Sequence, residues 1–378
     1  MNSAPNPRSE RGTDLAILME SLYTGGVGKM RLHLMNEIAA RGYRVDLVLA
    51  DMSSPYMPMV HPAVRKVKIA SADGLKGVPS LAWYLARSRP RVMLTQRVRL
   101  NVLALRARRL ARSDTRIVVT VNVNMTSKFE DQSPEKRARQ IEHLRRWFPR
   151  NDGIISVSQG VAEDAAQLIG IPVERIQVIQ NPTITPDLLP RAAEPLDHPW
   201  FQPGQPPVVL GVGRLMREKD FPTLIRAFGL LRRRTPCRLL ILGEGPDRPA
   251  LEALVVELGL ADDTSLPGFI TNPYQYMARS AMFVLSSTRE GSPNALTEAL
   301  AVGVPLVSTD CPNGPPDVLE GGRHGHLVPM RDPQALADAM DATLKTPVGD
   351  RESRMASAKR YTVERSATLY LQHLGLAE

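Results

Sequence analysis

The apolar positions of this chain fall in short continuous runs rather than in strict alternation. Leu15–Met19, Val45–Leu49, Val92–Thr95, Ile117–Val121 and Gly153–Val157 recur through the first half. Pro207–Gly211, Cys237–Leu242, Ala281–Leu285 and Val304–Ser308 do so in the second. Runs this short, separated by stretches of helix length, are the pattern of parallel strands covered on both faces. The pattern stops and starts afresh across "NPTITPDLLPRAAEPLDHPWFQPGQPP", Asn181–Pro207, which is dense in proline and lacks a period. The expectation is an α/β chain of two Rossmann-like, doubly wound domains, 1–185 and 186–360, with the linker in that stretch. Ligands of such folds gather beyond the carboxyl ends of the strands, so a cleft between the domains is the expected site.

Composition adds bounds. A length of 378 residues suits two cores rather than one. No run of about 18 apolar residues is present, so no membrane-spanning helix is expected. The opening "MNSAPNPRSERGTD" lacks the apolar segment of a secretory leader, and a cytoplasmic location is expected. Cys237 and Cys311 are too few for a disulfide framework or a metal site and read as small buried side chains.

Charge is uneven. Residues 1–185 carry 28 lysines and arginines against 16 acids, and the remainder 20 against 23. The densest stretch is Ala86–Asp114, where Leu100, Val102, Leu103, Leu105 and Leu110 have roughly helical spacing among Arg106, Arg108, Arg109 and Arg112. That pattern fits a basic amphipathic helix on an anionic membrane surface, at its inner face, or a packing helix with a solvated arginine face. No nucleic-acid partner is expected, since no aromatic side chains are interleaved to stack on bases.

"TGGVGK", residues 24–29, follows the first strand and ends in lysine. A nucleotide-binding lysine loop needs a glycine where Tyr23 stands and a hydroxyl where Met30 stands, so no ATPase loop is present. What remains is Gly25-Gly26-Val27-Gly28 at a strand-to-helix turn, where a ligand can approach the backbone and a helix N-terminus favours an anion.

The second half carries stronger chemistry. Gly213-Arg214 directly follows a strand, with Lys219 five residues later before a helix. An arginine fork beside a mobile lysine charge suits a diphosphate. After another strand, Glu290 precedes the turn Gly291-Ser292-Pro293-Asn294, and Ala295–Val302 reads as helix with Glu298 one turn inside. Amides near Asn294 and Ala295 would face an anion, and a neighbouring carboxylate suits sugar hydroxyls.

The constellation Gly213-Arg214-x4-Lys219, Gly243-Glu244-Gly245-Pro246, "LPGFITN" and Glu290-x7-Glu298 resembles the retaining GT-B glycosyltransferases of family four. "DGIISVSQGVAEDAAQLIGIPVERIQVIQNPT" is similar to the segment leading to that family's interdomain linker, and Gly25-Gly26 to its N-terminal loop facing the donor. "YTVERSATLYLQHL", Tyr361–Leu374, resembles the closing helix that returns to the first domain, so that about 361–378 belongs there. The resemblance implies an acceptor-binding first domain and a donor-binding second one. Arg214 and Lys219 would neutralise the departing diphosphate without a metal or cofactor, joined by the amides of Asn294, Ala295 and Leu296. Glu298 would hold ribose hydroxyls and Glu290 those of the donor sugar, beside the Gly291-Ser292-Pro293 turn. The backbone at Phe269 and Ile270 would meet the base edge, with Glu244 near the nucleotide. The implied reaction moves a hexose or N-acetylhexosamine from a nucleotide sugar, UDP more often than GDP, to a glycan or lipid-linked acceptor, as in bacterial polysaccharide or glycolipid synthesis.

Two departures stand out. Asn122 and Asn124 occupy the region where many relatives carry a histidine, so this acceptor-side position offers amides rather than a base. Ser292-Pro293 replaces a common Phe-Gly pair. His324 and His326 read as loop residues rather than metal ligands. A UDP-sugar epimerase or a non-catalytic nucleotide-sugar binding protein of the same fold are the alternatives. The first would lack the Arg/Lys pair at this spacing, and the second would bind donor without transfer.

Overall fold

A computed structural model describes residues 12–22 and 25–377. The chain divides after Pro182 and again after Thr362: Thr183–Thr362 forms one unit, and the segment from Val363 rejoins the first. In the first unit β1 (Leu15–Met19), α1 (Gly26–Ala40), β2 (Val45–Leu49), β3 (Arg65–Lys68), α2 (Gly74–Ser88), β4 (Val92–Gln96) and α3 (Val98–Ala111) come first. Then follow β5 (Arg116–Val121), α4 (Met125–Phe129), α5 (Pro134–Trp147), β6 (Gly153–Ser156), α6 (Gln159–Ile169) and β7 (Ile176–Val178). The second unit opens with α7 (Leu188–Ala193), β8 (Val208–Val212), α8 (Phe221–Arg232), β9 (Arg238–Leu242), α9 (Arg248–Glu257), β10 (Thr264–Gly268) and α10 (Tyr274–Arg279). It continues through β11 (Met282–Leu285), α11 (Asn294–Val302), β12 (Leu306–Thr309), α12 (Pro315–Val318), β13 (His326–Val328), α13 (Pro333–Lys345) and α14 (Arg351–Ala358). The last helix, α15 (Val363–His373), lies in the first unit.

Both sheets are parallel and doubly wound. Their orders are β3-β2-β1-β4-β5-β6-β7 and β10-β9-β8-β11-β12-β13. The strand order reverses between β1 and β4 in one sheet and between β8 and β11 in the other, and each reversal opens a crevice at the carboxyl edge. The interior strands β1, β2 and β4 are buried along their whole length, as continuous apolar runs require. Helix starts are written locally: the Ser133, Ser158, Asp332 and Asp350 side chains accept first-turn amides of α5, α6, α13 and α14.

Asn181–Pro207, expected as a linker, is largely structure of the second unit. Leu188 and Ala192 of α7 are buried, and Leu196, Trp200 and Phe201 pack on the same cluster as Tyr274 and Tyr276. The prolines here start a helical turn, as at Pro199, rather than loosen the chain. The opposite end is tied down too. Ala367, Tyr370, Leu371, Leu374 and Leu376 belong to the first unit's core. Arg41 donates to Glu364 O at 2.8 Å, Arg116 to Leu374 O at 3.0 Å and Arg91 to Gly375 O at 2.9 Å, so part of the basic charge serves to hold α15. Among the described residues, no helix is long and apolar enough to cross a membrane.

Candidate functional site

The second unit's crevice is built by two loops. After β8 the backbone turns at Gly213, whose amide donates to Leu242 O at 3.0 Å, and runs through a helical turn at Arg217–Lys219. The loop after β11 is stitched to it: Ser286 Oγ donates to Lys219 O at 2.8 Å and the Thr288 amide to Glu218 O at 2.9 Å. Lys219 and Glu290, separated by 71 positions, meet at 2.5 Å between Nζ and Oε1. Ser287 Oγ donates to the same carboxylate oxygen at 2.7 Å, and Thr309 Oγ1 donates to Ser287 O at 2.5 Å. Glu290 is only 9% exposed. A buried carboxylate so placed is matched by one ammonium and one hydroxyl, as burial of charge demands. Arg214 is exposed and has no carboxylate partner among the described residues. Of the two cations that the sequence singles out, Arg214 is therefore open and Lys219 already paired.

α11 starts at Asn294, behind buried Gly291 and Pro293 and half-buried Ser292, with no side-chain cap. Its first-turn amides, Asn294, Ala295 and Leu296, thus keep the anion preference of a helix N-terminus. Pro293 in turn limits its neighbour: a Cβ on Gly314 (φ +91°) would stand 2.6 Å from Pro293 Cδ. Glu298 lies one turn in, 5% exposed, and accepts from Tyr274 Oη at 3.2 Å. Glu244 is exposed and held by Arg248 at 2.6 Å, which keeps its carboxyl below the ordinary range. Phe269 is 71% exposed at the end of β10, whereas Ile270 packs on the core. Cys311 sits near Glu290, and burial pushes its thiol up to about 12, so it is no nucleophile near neutral pH.

In the first unit Gly25 (φ +135°) precedes α1, which also lacks a side-chain cap, and Gly26 is exposed; Tyr23 lies outside the described residues. Asn124 is occupied structurally: its side chain caps α4 by accepting the Ser127 amide at 2.8 Å. Asn122 is half-buried just beyond β5. Arg31 of α1 is buried, its guanidinium against Tyr370 Oη at 3.4 Å and the Thr120 hydroxyl. His324 is buried beside Glu320 at 3.4 Å. No group of three or more His, Cys, Asp and Glu side chains able to hold a metal occurs among the described residues.

Ser287, Tyr274, Thr309 and Arg31 escaped the sequence reading. None stands in a periodic or glycine-marked pattern. Only Ser287, three residues before Glu290, offered a local cue.

Comparison with known proteins gives a consistent family picture. The family described as "Glycosyl transferases group 1" matches residues 206–346, and that described as "Glycosyl transferase 4-like domain" matches 25–182. An N-acetylgalactosamine-N,N'-diacetylbacillosaminyl-diphospho-undecaprenol 4-alpha-N-acetylgalactosaminyltransferase of Campylobacter jejuni is 32% identical over 55% of this chain and 54% of its own. The lipopolysaccharide core biosynthesis glycosyltransferase LpsE of Rhizobium meliloti is 31% identical over 54% of this chain and 59% of its own. The chain thus spans about half the length of these curated relatives. Among solved structures, HepE of Anabaena in complex with UDP superposes with a TM-score of 0.74 at 18% identity, covering 97% of this chain and 100% of that one. Sucrose-phosphate synthase of Thermosynechococcus elongatus gives 0.77 at 21%, with the same coverage. These likenesses show the fold.

Proposed function

The chain belongs to the group 1 glycosyltransferases of GT-B fold, and from that premise we propose that it moves a hexose or N-acetylhexosamine from a UDP-sugar to a glycan or lipid-linked acceptor. Transfer proceeds with retention, without a metal, in bacterial surface polysaccharide or glycolipid synthesis. The observation that carries this reading is the crevice of the second sheet, where Arg214, the Lys219–Glu290 pair and the uncapped start of α11 meet at the strand-order reversal. The names of relatives support it. The Campylobacter jejuni protein is a 4-alpha-N-acetylgalactosaminyltransferase acting on a diphospho-undecaprenol, and HepE has been solved with UDP-glucose.

The residues divide the work by charge. Arg214 and Lys219 neutralise the diphosphate as the glycosidic bond lengthens, and the amides of Asn294, Ala295 and Leu296 add fixed dipoles. Lys219 bridges, since the ammonium that holds Glu290 has donors left for a phosphate oxygen. Glu290, steadied by Ser287, accepts from donor-sugar hydroxyls, which holds the anomeric carbon in place while its bond to the diphosphate oxygen breaks. Glu298, oriented by Tyr274, takes the ribose hydroxyls. The chain at Phe269 and Ile270 meets the base. With Asn122 and Asn124 offering only amides, proton removal from the acceptor falls to the departing phosphate.

Calorimetric titration with UDP, GDP and ADP in EDTA tests this. One nucleotide binds the wild type, and Arg214→Ala/Lys219→Ala, losing two charge-assisted contacts worth roughly 3–6 kcal/mol together, does not bind measurably. Binding that requires a metal, or that survives the double substitution, overturns the assignment.

A further inference from the structure

The fold concentrates positive charge on two neighbouring helices of the first unit. On α5 and the turn after it, Lys136, Arg139, His143, Arg146 and Arg150 recur every three or four residues, which sets them on one face. On α3, Arg99, Arg106 and Arg109, seven and three positions apart, likewise share a face. Between the helices lies a cavity of about 750 Å³ whose floor includes Val98, Val102, Phe129 and Leu144 and whose walls are cationic. A second concavity of about 570 Å³ continues beyond Arg106, past Arg109, Arg146 and Arg150 around Trp147. Among the described residues, no carboxylate lines either one.

Part of this charge is uncompensated. Arg97 and Arg99 are paired with Glu20, Arg99 also with Asp73, and Arg108 with Asp152, but Arg106, Arg109, Lys136, Arg139 and Arg146 have no carboxylate partner among the described residues. Facing like charges cost stability, so a face that keeps them in a concavity is suited to a bound polyanion. The field is felt by His143, whose pKa lies below the ordinary value through burial and then through Arg106 and Arg146.

The shape selects among polyanions. From Lys136 to Arg150 the tract runs about 20 Å at the rise of a helix, which is the form of a linear ligand. A bilayer offers its headgroups as a plane, which meets a tract recessed between two helices less fully than a chain laid along it does. Phe129 is buried in the floor, 3% exposed, and Trp147 is flanked by Arg106, Arg146 and Arg150 at 5.3, 5.7 and 5.4 Å, so neither ring offers bases an open stacking platform. Arginine forks match carboxylate and phosphate, and an apolar floor accepts the C–H faces of sugar rings. We propose that the α3–α5 groove binds a linear acidic glycan, one whose carboxylate or phosphate groups recur along the chain. This rests on the glycosyltransferase reading for the glycan's role, as acceptor or growing product.

Fluorescence anisotropy with labelled oligogalacturonate tests it, against a dextran oligosaccharide of equal length, an oligothymidylate and phosphatidylglycerol vesicles. The acidic glycan is expected to bind at least about tenfold more tightly than the neutral one, and Arg106→Ala/Arg139→Ala/Arg146→Ala to lose that margin. Arg139→Glu alone, at an exposed site that does not endanger folding, should weaken binding as well, and Arg137→Ala, off the stripe on the same helix, should not. UDP titration of the triple variant is expected to match the wild type. Equal binding of acidic and neutral glycans, retention by the triple variant, or tighter binding of oligothymidylate or vesicles overturns the proposal. Failure of the wild type to bind UDP would overturn the function instead, whatever the groove does.

Discussion

At the residue scale, Lys219 answers to two anions. Its ammonium holds Glu290 at 2.5 Å in the free protein, and the proposed donor brings a diphosphate to the same group. The carboxylate is 9% exposed and shares its oxygen with the Ser287 hydroxyl, so its charge is not screened away by water. Glu290→Gln removes the competing anion while keeping the shape. UDP alone should then bind more tightly, by up to about tenfold or ~1.4 kcal/mol, while sugar transfer falls because the hydroxyls of the donor lose an ionised acceptor. Calorimetry with UDP beside a transfer assay checks both halves. Weaker UDP binding by this variant would mean that Glu290 supports the diphosphate site rather than competing with it.

At the element scale, the turns that follow β8 and β9 touch through backbone. The Leu215 amide donates to Glu244 O at 2.9 Å and the Asp247 amide to Leu215 O at 3.1 Å. A Cβ on Gly243 would fall 1.8 Å from Gly213 O, and one on Gly245 would fall 2.1 Å from Leu215 O. The Gly-Glu-Gly motif is therefore also a packing device that sets the height of the Arg214 loop. Gly245 is not in the left-handed region, so Gly245→Ala tests the close approach without backbone strain. Its overpacking should cost about 1–3 kcal/mol or more and lower the urea midpoint of the second unit at unchanged slope. An unchanged midpoint would show that the turns can separate freely. The same scale explains which strands the hydrophobic pattern reveals. Each of the nine runs read from the sequence overlaps a strand of the fold, and the four strands without such a run, β3, β7, β10 and β13, are the four sheet edges. β3 is Arg-Lys-Val-Lys and almost wholly exposed. An edge strand is held by backbone bonds on one side and needs few apolar side chains, while lysines there discourage further pairing.

At the scale of the whole molecule, the chain's last segment belongs to the unit in which the chain begins. Tyr370, Leu371, Leu374 and Leu376 are nearly solvent-free against the core under α1. Side chains of this kind contribute about 1.5–3 kcal/mol each when buried, a sum comparable to the ~5–15 kcal/mol that separates a folded domain from its unfolded chain. Truncation before Val363 should therefore leave the first unit protease-sensitive and the second, Thr183–Thr362, intact. Limited proteolysis followed by mass spectrometry reads the outcome. A truncated chain whose two units resist equally would show that α15 is dispensable.

Burial on both faces writes itself into sequence. The interior strands, the two parallel sheets and the glycine-marked turns after β8 and β11 were legible because each is dictated by neighbours within a few residues. The proline-dense stretch misled for the complementary reason: proline limits local conformation but says nothing of what Leu188 or Trp200 packs against. Pairings across distance lay beyond local pattern. Lys219 with Glu290, Tyr274 with Glu298 and Arg31 with Tyr370 are made by elements remote in the chain. So is the cationic groove, since α3 and α5 each show an ordinary charged face and only their packing turns two faces into one concavity. Local chemistry determined which residues could act. The tertiary structure decided which of them meet, because charge interacts through space and not along the chain.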